Sequence, residues 1–337
     1  MASLAFLLGM IPNTEKVESE DNQLRSDFKA FREFEQSDEL KHFLALEKEV
    51  KSSDFALRKK KIKKRDYPES EEYHKEVEYD TLRKSDKFVW YFRNKKKYPF
   101  KEIEKWDLTF EEPFNQSKLD EQKWLTRYFW GDKSLESSYV FQDDKSFIKE
   151  KGNIEFYDNK ARLVTRSESA EGLVWIPDYG FVQEKFDFTS GMISSAKSFR
   201  QKYGIFKAKV KMGHGSVTQA FWMVGDQMLP HIDVAKFDKG KLFCNLFWPS
   251  RNNIPHRSVS KTGGTRYTND FYIYTLEWSP NKLVWKINGK VFKTQTSGVP
   301  QEEMYVNFST TLKQDASEAD LPSAMEIDWI RVYKLKG

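Results

Sequence analysis

His231, Asp233 and Lys236 sit within one short apolar stretch, His231-Ile232-Asp233-Val234-Ala235-Lys236. Side chains alternate between faces in an extended strand, so His231 and Asp233 fall on one side. An imidazole can attack covalently, and a lysine with a depressed pKa can donate a proton. Nothing in the sequence tunes either group for such work. Cys244 is the single cysteine, which excludes an internal disulfide. It lies in the apolar run Leu242-Phe243-Cys244-Asn245-Leu246-Phe247 with no His/Asn arrangement around it, so it reads as a buried, inert thiol.

The elements that must hold these groups are strands. Between Gly152 and Tyr333 short β-branched or aromatic runs alternate in polarity and end at Gly, Asn, Asp, Ser or Pro. Asn288-Gly289, between Val284-Trp285-Lys286-Ile287 and Lys290-Val291-Phe292, has the chemistry of a two-residue hairpin turn, because both positions tolerate positive φ. Repeated short strands without intervening helices predict a sandwich or jelly roll. Residues 1–105 differ. Phe28, Phe31 and Phe34, then Leu40, Phe43, Leu44, Leu46 and Val50, recur at helical spacing. Ser37, Ser53, Ser70 and Ser85 each precede acidic residues, an N-cap signature that predicts four or so short helices. The length suits about two domains at ~150 residues each, a helical module over 1–105 and a β-domain over 106–337.

Six ordered blocks carry a family resemblance. They include Ser190-Gly191-Met192-Ile193-Ser194-Ser195 with Tyr203-Gly204-Ile205-Phe206-Lys207-Ala208, and Gln219-Ala220-Phe221-Trp222-Met223-Val224-Gly225. Tyr274-Thr275-Leu276-Glu277-Trp278-Ser279-Pro280 follows with its hairpin, and Met325-Glu326-Ile327-Asp328-Trp329-Ile330-Arg331-Val332-Tyr333 closes the chain. Residues 108–124 are similar to the opening segment, with Pro113 breaking the pattern. Over residues 106–337 the chain resembles glycoside hydrolase family 16, the retaining β-glucanases of laminarinase and lichenase type. The resemblance implies a concanavalin A-like lectin/glucanase jelly-roll sandwich, mainly β, with a sugar cleft on its concave face. It also implies that His231, Asp233 and Lys236 face that cleft, a small bulge absorbing the odd spacing. The family motif there is Glu-x-Asp-x-x-Glu, and its outer glutamates are nucleophile and acid/base. Here His231 and Lys236 replace both. Retaining hydrolysis uses two carboxyls about 5–5.5 Å apart, so the motif reads as degenerate, with no catalytic residues expected.

By the same resemblance Trp222 is the aromatic floor of the cleft, and Trp130, Trp175, Phe199, Tyr203 and Trp248 are candidate wall aromatics. A structural calcium occurs in the family, and Asp328 matches one ligand position; no other cofactor is implied. Phe271-Tyr272 stands where the family often has Phe-His.

The net charge of +5 is small for 337 residues and gives no reason to invoke nucleic acid. The basic runs 58–65 and 95–97 read as solvated helix faces balanced by nearby Glu. No run approaches the ~18–20 apolar residues of a membrane helix. Leu4–Met10 lacks a basic lead-in and a following cysteine, so neither a cleavable signal nor a lipoprotein anchor is expected; it reads as a docking tail. The expectation is a hydrolase-like protein without catalytic activity. It binds a polysaccharide or oligosaccharide (an anionic one included) or acts as a structural or adhesive part of a cell-surface or virion assembly. Protein attachment would run through the helical module. The alternatives are an active endo-β-glycosidase of non-standard chemistry, acting on a β-glucan or algal galactan, and an assembly protein with a blocked cleft.

Overall fold

The computed structural model describes residues 11–130, 135–251, 254–264 and 266–337. The run Leu4–Met10 lies outside the described residues. The chain divides into two compact units, one joining the residues up to Val17 to Asp107–Gly337 and the other spanning Glu18–Trp106.

The helices of the N-terminal region are α1 (Thr14–Glu35), α2 (Asp38–Val50), α3 (Ser53–Lys61), α4 (Glu71–Lys84) and α5 (Asp86–Lys97), with a 3-10 turn at Tyr67–Glu69. Three begin at serine caps: Ser37, Ser52 and Ser70 accept from the amides of Leu40, Phe55 and Tyr73. Two details depart from expectation. The cap of α3 is Ser52 rather than Ser53, and the Ser85 hydroxyl donates back to Leu82 O instead of capping α5. The apolar faces meet in an aromatic core of Phe31, Phe34, Phe43, Phe88 and Tyr91, with Phe31 stacked on Tyr91 at 5.1 Å. Part of the basic run is neutralised within this unit. Arg58 pairs with Glu49, Asp54 and Glu72, and Lys59 with Glu76. Among the described residues no helix is long and apolar enough to cross a membrane.

The β-unit is a two-sheet jelly-roll sandwich. Its larger sheet contains β1 (Trp106–Glu112), β2 (Tyr139–Phe141), β3 (Ser146–Ile148), β4 (Ile154–Tyr157), β5 (Lys160–Ile176) and β6 (Gly180–Ser190). The same sheet continues with β8 (Gly204–Lys211), β13 (Tyr272–Ser279), β14 (Lys282–Ile287), β15 (Lys290–Gln295) and β17 (Ser323–Leu335). The smaller sheet has the order β12-β11-β10-β9-β16-β7. Its strands are β7 (Met192–Ser194), β9 (Thr218–Val224), β10 (His231–Asp238), β11 (Lys241–Trp248), β12 (His256–Gly263) and β16 (Tyr305–Thr311). Most pairings are antiparallel, but β2 with β5 and β3 with β6 are parallel. The Asn288-Gly289 turn forms as its chemistry dictates, with φ of 46° and 75°.

Between the sheets lies one apolar core, which includes Phe206, Phe221, Ile232, Val234, Leu246, Trp285 and Ile330. A second cluster covers part of the other face of the smaller sheet, built from Tyr128, Tyr139, Val140, Val174, Phe186, Trp222 and Tyr305. That is why β9 is buried on both faces.

The β-unit is also held by the residues just before and within the first turn of α1. Asn288 Nδ2 donates to Pro12 O and to Thr14 Oγ1, both at 2.8 Å, and Thr14 Oγ1 donates to Phe271 O at 2.6 Å. Residues 11–17, placed with the helices by the sequence reading, therefore belong structurally to the sandwich. Thr14→Val should lower the unfolding free energy by about 1 kcal/mol, the net worth of a partly buried hydrogen bond. Urea denaturation followed by tryptophan emission checks this; an unchanged midpoint would make the tie ornamental.

Candidate functional site

Strand β10 runs between β9 and β11, and its register explains how three polar residues at odd spacing reach one face. From Asp233 to Lys236 the chain advances three residues, whereas β9 advances two (Trp222 to Ala220) and β11 two (Asn245 to Phe243). The extra residue is a β-bulge. Val234 and Ala235 both turn into the inter-sheet core, so Lys236 returns to the face that carries His231 and Asp233.

A bulge takes carbonyls out of the ladder, and a buried carbonyl needs a donor. Side chains supply two here. Trp285 Nε1 donates to Asp233 O at 2.9 Å, and the Cys244 thiol donates to Val234 O at 3.2 Å. Burial raises the pKa of the Cys244 thiol, in keeping with an inert group. Cys244 therefore braces the bulge from below. No local sequence signal pointed to that role.

On the open side, His231 Nε2 and Asp233 Oδ1 are 2.9 Å apart, and Asn245 Nδ2 donates to Asp233 Oδ2 at 2.7 Å. Burial alone would raise the Asp233 carboxyl. The charges of His231 and Lys236, with the hydrogen bonds from His231 and Asn245, outweigh it and hold the pKa below the usual carboxylate range. The His231 ring lies parallel to Trp222, centroids 5.0 Å apart and planes 11° apart, and Phe247 meets it edge-on at 5.9 Å.

These groups floor a cavity of about 530 Å³. Its walls are Tyr128, Trp130, Phe141, Met228, Leu229 and Phe247, with Thr218, Ala220, Ser309, Thr311 and Lys313 completing the floor and rim. Apolar walls with a few polar groups converging on the floor are the usual make-up of a small-molecule site.

Of the candidate aromatics, Trp222 and Trp130 line the cavity. Trp222 is only 6% exposed, its Nε1 donates to Ser309 Oγ at 3.0 Å, and the imidazole covers one ring face. It is a packed floor rather than an open platform. The other four candidates lie outside. Phe199 stacks on Phe110 at 4.5 Å and packs on the sandwich core. Tyr203 has its ring against Trp278 and donates from its hydroxyl to Gln301 Oε1. Trp248 faces the core and stacks on His256 at 5.3 Å. Trp175 sits one strand outward, opposite Phe141 and against Phe181, and is 39% exposed. The wall residues that the sequence reading missed are Tyr128, Phe141, Met228, Leu229 and Phe247. Phe247 had a signal: it lies two residues from Asn245 on the same face of one strand.

The metal expectation does not fit. Asp328 lies within β17, and Lys209 Nζ sits 2.7 Å from its Oδ2, the place a cation would take. The buried Glu112 accepts from Phe114 N and pairs with Lys123. Among the described residues no group of three or more His, Cys, Asp or Glu gathers to hold an ion.

Fold and cleft together define a two-sheet jelly roll with an aromatic-walled cavity on the smaller sheet. The chain belongs to glycosyl hydrolases family 16, whose model matches residues 141–331. It is 23% identical over 270 residues to glucan endo-1,3-beta-glucosidase A1 of Niallia circulans, covering 68% of this chain and 38% of that protein. To keratan-sulfate endo-1,4-beta-galactosidase of Sphingobacterium multivorum it is 25% identical, covering 61% and 54%. With Gram-negative bacteria-binding protein 3 of Drosophila melanogaster it shares 26% identity, covering 66% and 50%. The chain thus spans about half or less of these relatives' lengths. Among solved structures, the laminarinase catalytic domain of Thermotoga petrophila RKU-1 aligns with a TM-score of 0.54 at 18% identity, covering 69% of this chain and 99% of that one. The kappa-carrageenase of Pseudoalteromonas carrageenovora aligns with a TM-score of 0.54 at 19% identity, covering 68% and 94%.

Proposed function

We propose that the chain binds a glycan in the β10 cleft and does not cleave it by the retaining mechanism. The observation that carries this reading is the carboxylate inventory of the cavity. Among its described lining residues Asp233 is the only acid, and both its oxygens are engaged by His231 and Asn245. A lone, hydrogen-bonded carboxylate cannot be both nucleophile and proton donor. The apolar walls remain, and aromatic walls suit the C–H faces of sugars. One relative, Gram-negative bacteria-binding protein 3, is named for binding rather than cleavage. In this reading the helical unit serves attachment, with Leu57, Val77 and Val89 (46–57% exposed) as the side chains a partner would cover.

A polysaccharide array carrying laminarin, lichenan, keratan sulfate and carrageenan, scored for retention, tests the binding half. Phe247→Ala should then weaken the retained ligand by tenfold or more, the loss of about 1.4 kcal/mol or above, with little change in melting. Trp222→Ala should instead lower stability first, by about 3–5 kcal/mol as for other buried aromatic truncations. Silence across the array would favour an assembly protein whose cleft holds nothing.

A further inference from the structure

Besides the buried Tyr128 phenol, the cavity has four titratable side chains, and three are matched by protein partners. His231 and Asp233 face each other, and Lys313 pairs with the buried Asp144. Lys236, the fourth, makes no hydrogen bond or ion pair to any described residue. Asp233 is close enough to feel its charge, but the two Asp233 oxygens are already taken by His231 and Asn245. The three N–H donors of Lys236 therefore have no acceptor among the described residues.

The surroundings leave room for one. Lys236 stands in register with Ala220 on β9, and Ala220 with Ser309 on β16. The small side chains of Ala220 and Ser309 keep the space beside the ammonium open. Thr218 and Thr311 face each other two positions along, so hydroxyl groups rim the same end. Met228, Leu229, Phe247 and Pro255 supply apolar wall. A half-buried ammonium in a cleft walled by low-dielectric groups focuses a positive field into it. A neutral sugar hydroxyl answers that field weakly; an oxyanion answers it strongly, by a charge-assisted hydrogen bond.

We infer that Lys236 is an anion-accepting subsite and that the bound glycan carries a sulfate ester or a uronate carboxylate at that point. This rests on the glycan-binding reading and sharpens it.

Calorimetry on the full chain with three probes tests the inference: a neutral laminarin oligosaccharide, a κ-carrageenan oligosaccharide, and a β-linked mannuronate oligosaccharide. One of the two anionic probes should bind at least tenfold tighter than the neutral one at low salt, and which one does so names the anion. That advantage should shrink as sodium chloride is raised, because a half-exposed charge contact is screened over ~8–10 Å. Lys236→Met should abolish the advantage, and Lys236→Arg should keep most of it, each variant melting within a few degrees of the parent. Two results would overturn the subsite while leaving glycan binding intact: equal affinity for the neutral probe, or an anionic preference that survives Lys236→Met. Inorganic sulfate is the control for charge without sugar, and sulfate binding as tight as that of the preferred anionic probe would also overturn it. No heat from any probe would sink both readings.

Discussion

Incubated with laminarin, lichenan, agarose or carrageenan, this protein is expected to release no reducing ends above background. The double substitution His231→Glu with Lys236→Glu is expected to release them. Both positions already present their side chains to the cavity, because the bulge after Asp233 restores the face that the spacing would otherwise lose. Two carboxyls there, on either side of Asp233, would supply the attacking and proton-donating groups that a retaining mechanism needs. Asn245 would continue to hold Asp233 in place. The expected change is from nothing detectable to a rate that approaches ordinary enzyme turnover, ~1 per second or faster. A reducing-end assay on parent and variant, with melting curves for both, decides it. Turnover near that rate by the unmodified chain would end the non-hydrolytic reading. A folded but inert double variant would locate the defect in the cavity walls rather than in the lost glutamates.

The second large effect lies beneath the site. Lys293, on β15, is 3% exposed and donates from Nζ to Cys244 O at 3.0 Å and Ser258 O at 2.7 Å, with the ammonium 4.7 Å from the Trp285 ring centroid. Burial depresses its pKa to about 8, against 10.5 for a free lysine. Below about pH 8 both folded and unfolded chains carry the charge, and the fold bears its desolvation. Between about 8 and 10.5 the unfolded chain holds the proton more tightly, so stability rises with pH through that window. The full swing is about 3 kcal/mol at 1.36 kcal/mol for each pH unit. Lys293→Met should accordingly be the more stable protein at pH 7, with its advantage fading towards pH 10. Urea midpoints at pH 7, 8, 9 and 10 measure this. Parallel curves for parent and variant would show that the two carbonyls fully compensate the buried charge.

Much of the scaffold was legible in the sequence because its signals are local. Asn288-Gly289 specifies its own turn, and Ser37 and Ser70 cap helices where they stand. Even the one-residue error at Ser52 arises because two adjacent serines offer the same chemistry. The cleft was harder. Alternation separates the two faces of a strand, but in this sandwich both faces of β9 are buried. Pattern alone could not tell that Trp248 and Phe199 pack inward while Phe247 and Phe141 wall the cavity. Trp222 and His231 were both found, yet the stacking of one ring on the other was not, because they come from neighbouring strands. The pairing of Lys209 with Asp328 was equally invisible, since the two lie 119 positions apart in the chain.

The bulge in β10 has a consequence for how this protein could diverge. Val234 and Ala235 absorb the odd count with side chains that belong wholly to the interior, so residues 231 and 236 can change identity without altering what the core sees. Chemistry at the rim and folding beneath it are therefore inherited separately. A lineage could exchange carboxylates for an imidazole and an ammonium, and exchange them back, by point substitution alone. A deletion is absorbed as well: losing either Val234 or Ala235 would leave Asp233 and Lys236 two positions apart, matching the advance of β9 and β11, so the bulge would close, Lys236 would keep the cleft face, and the core would lose one side chain.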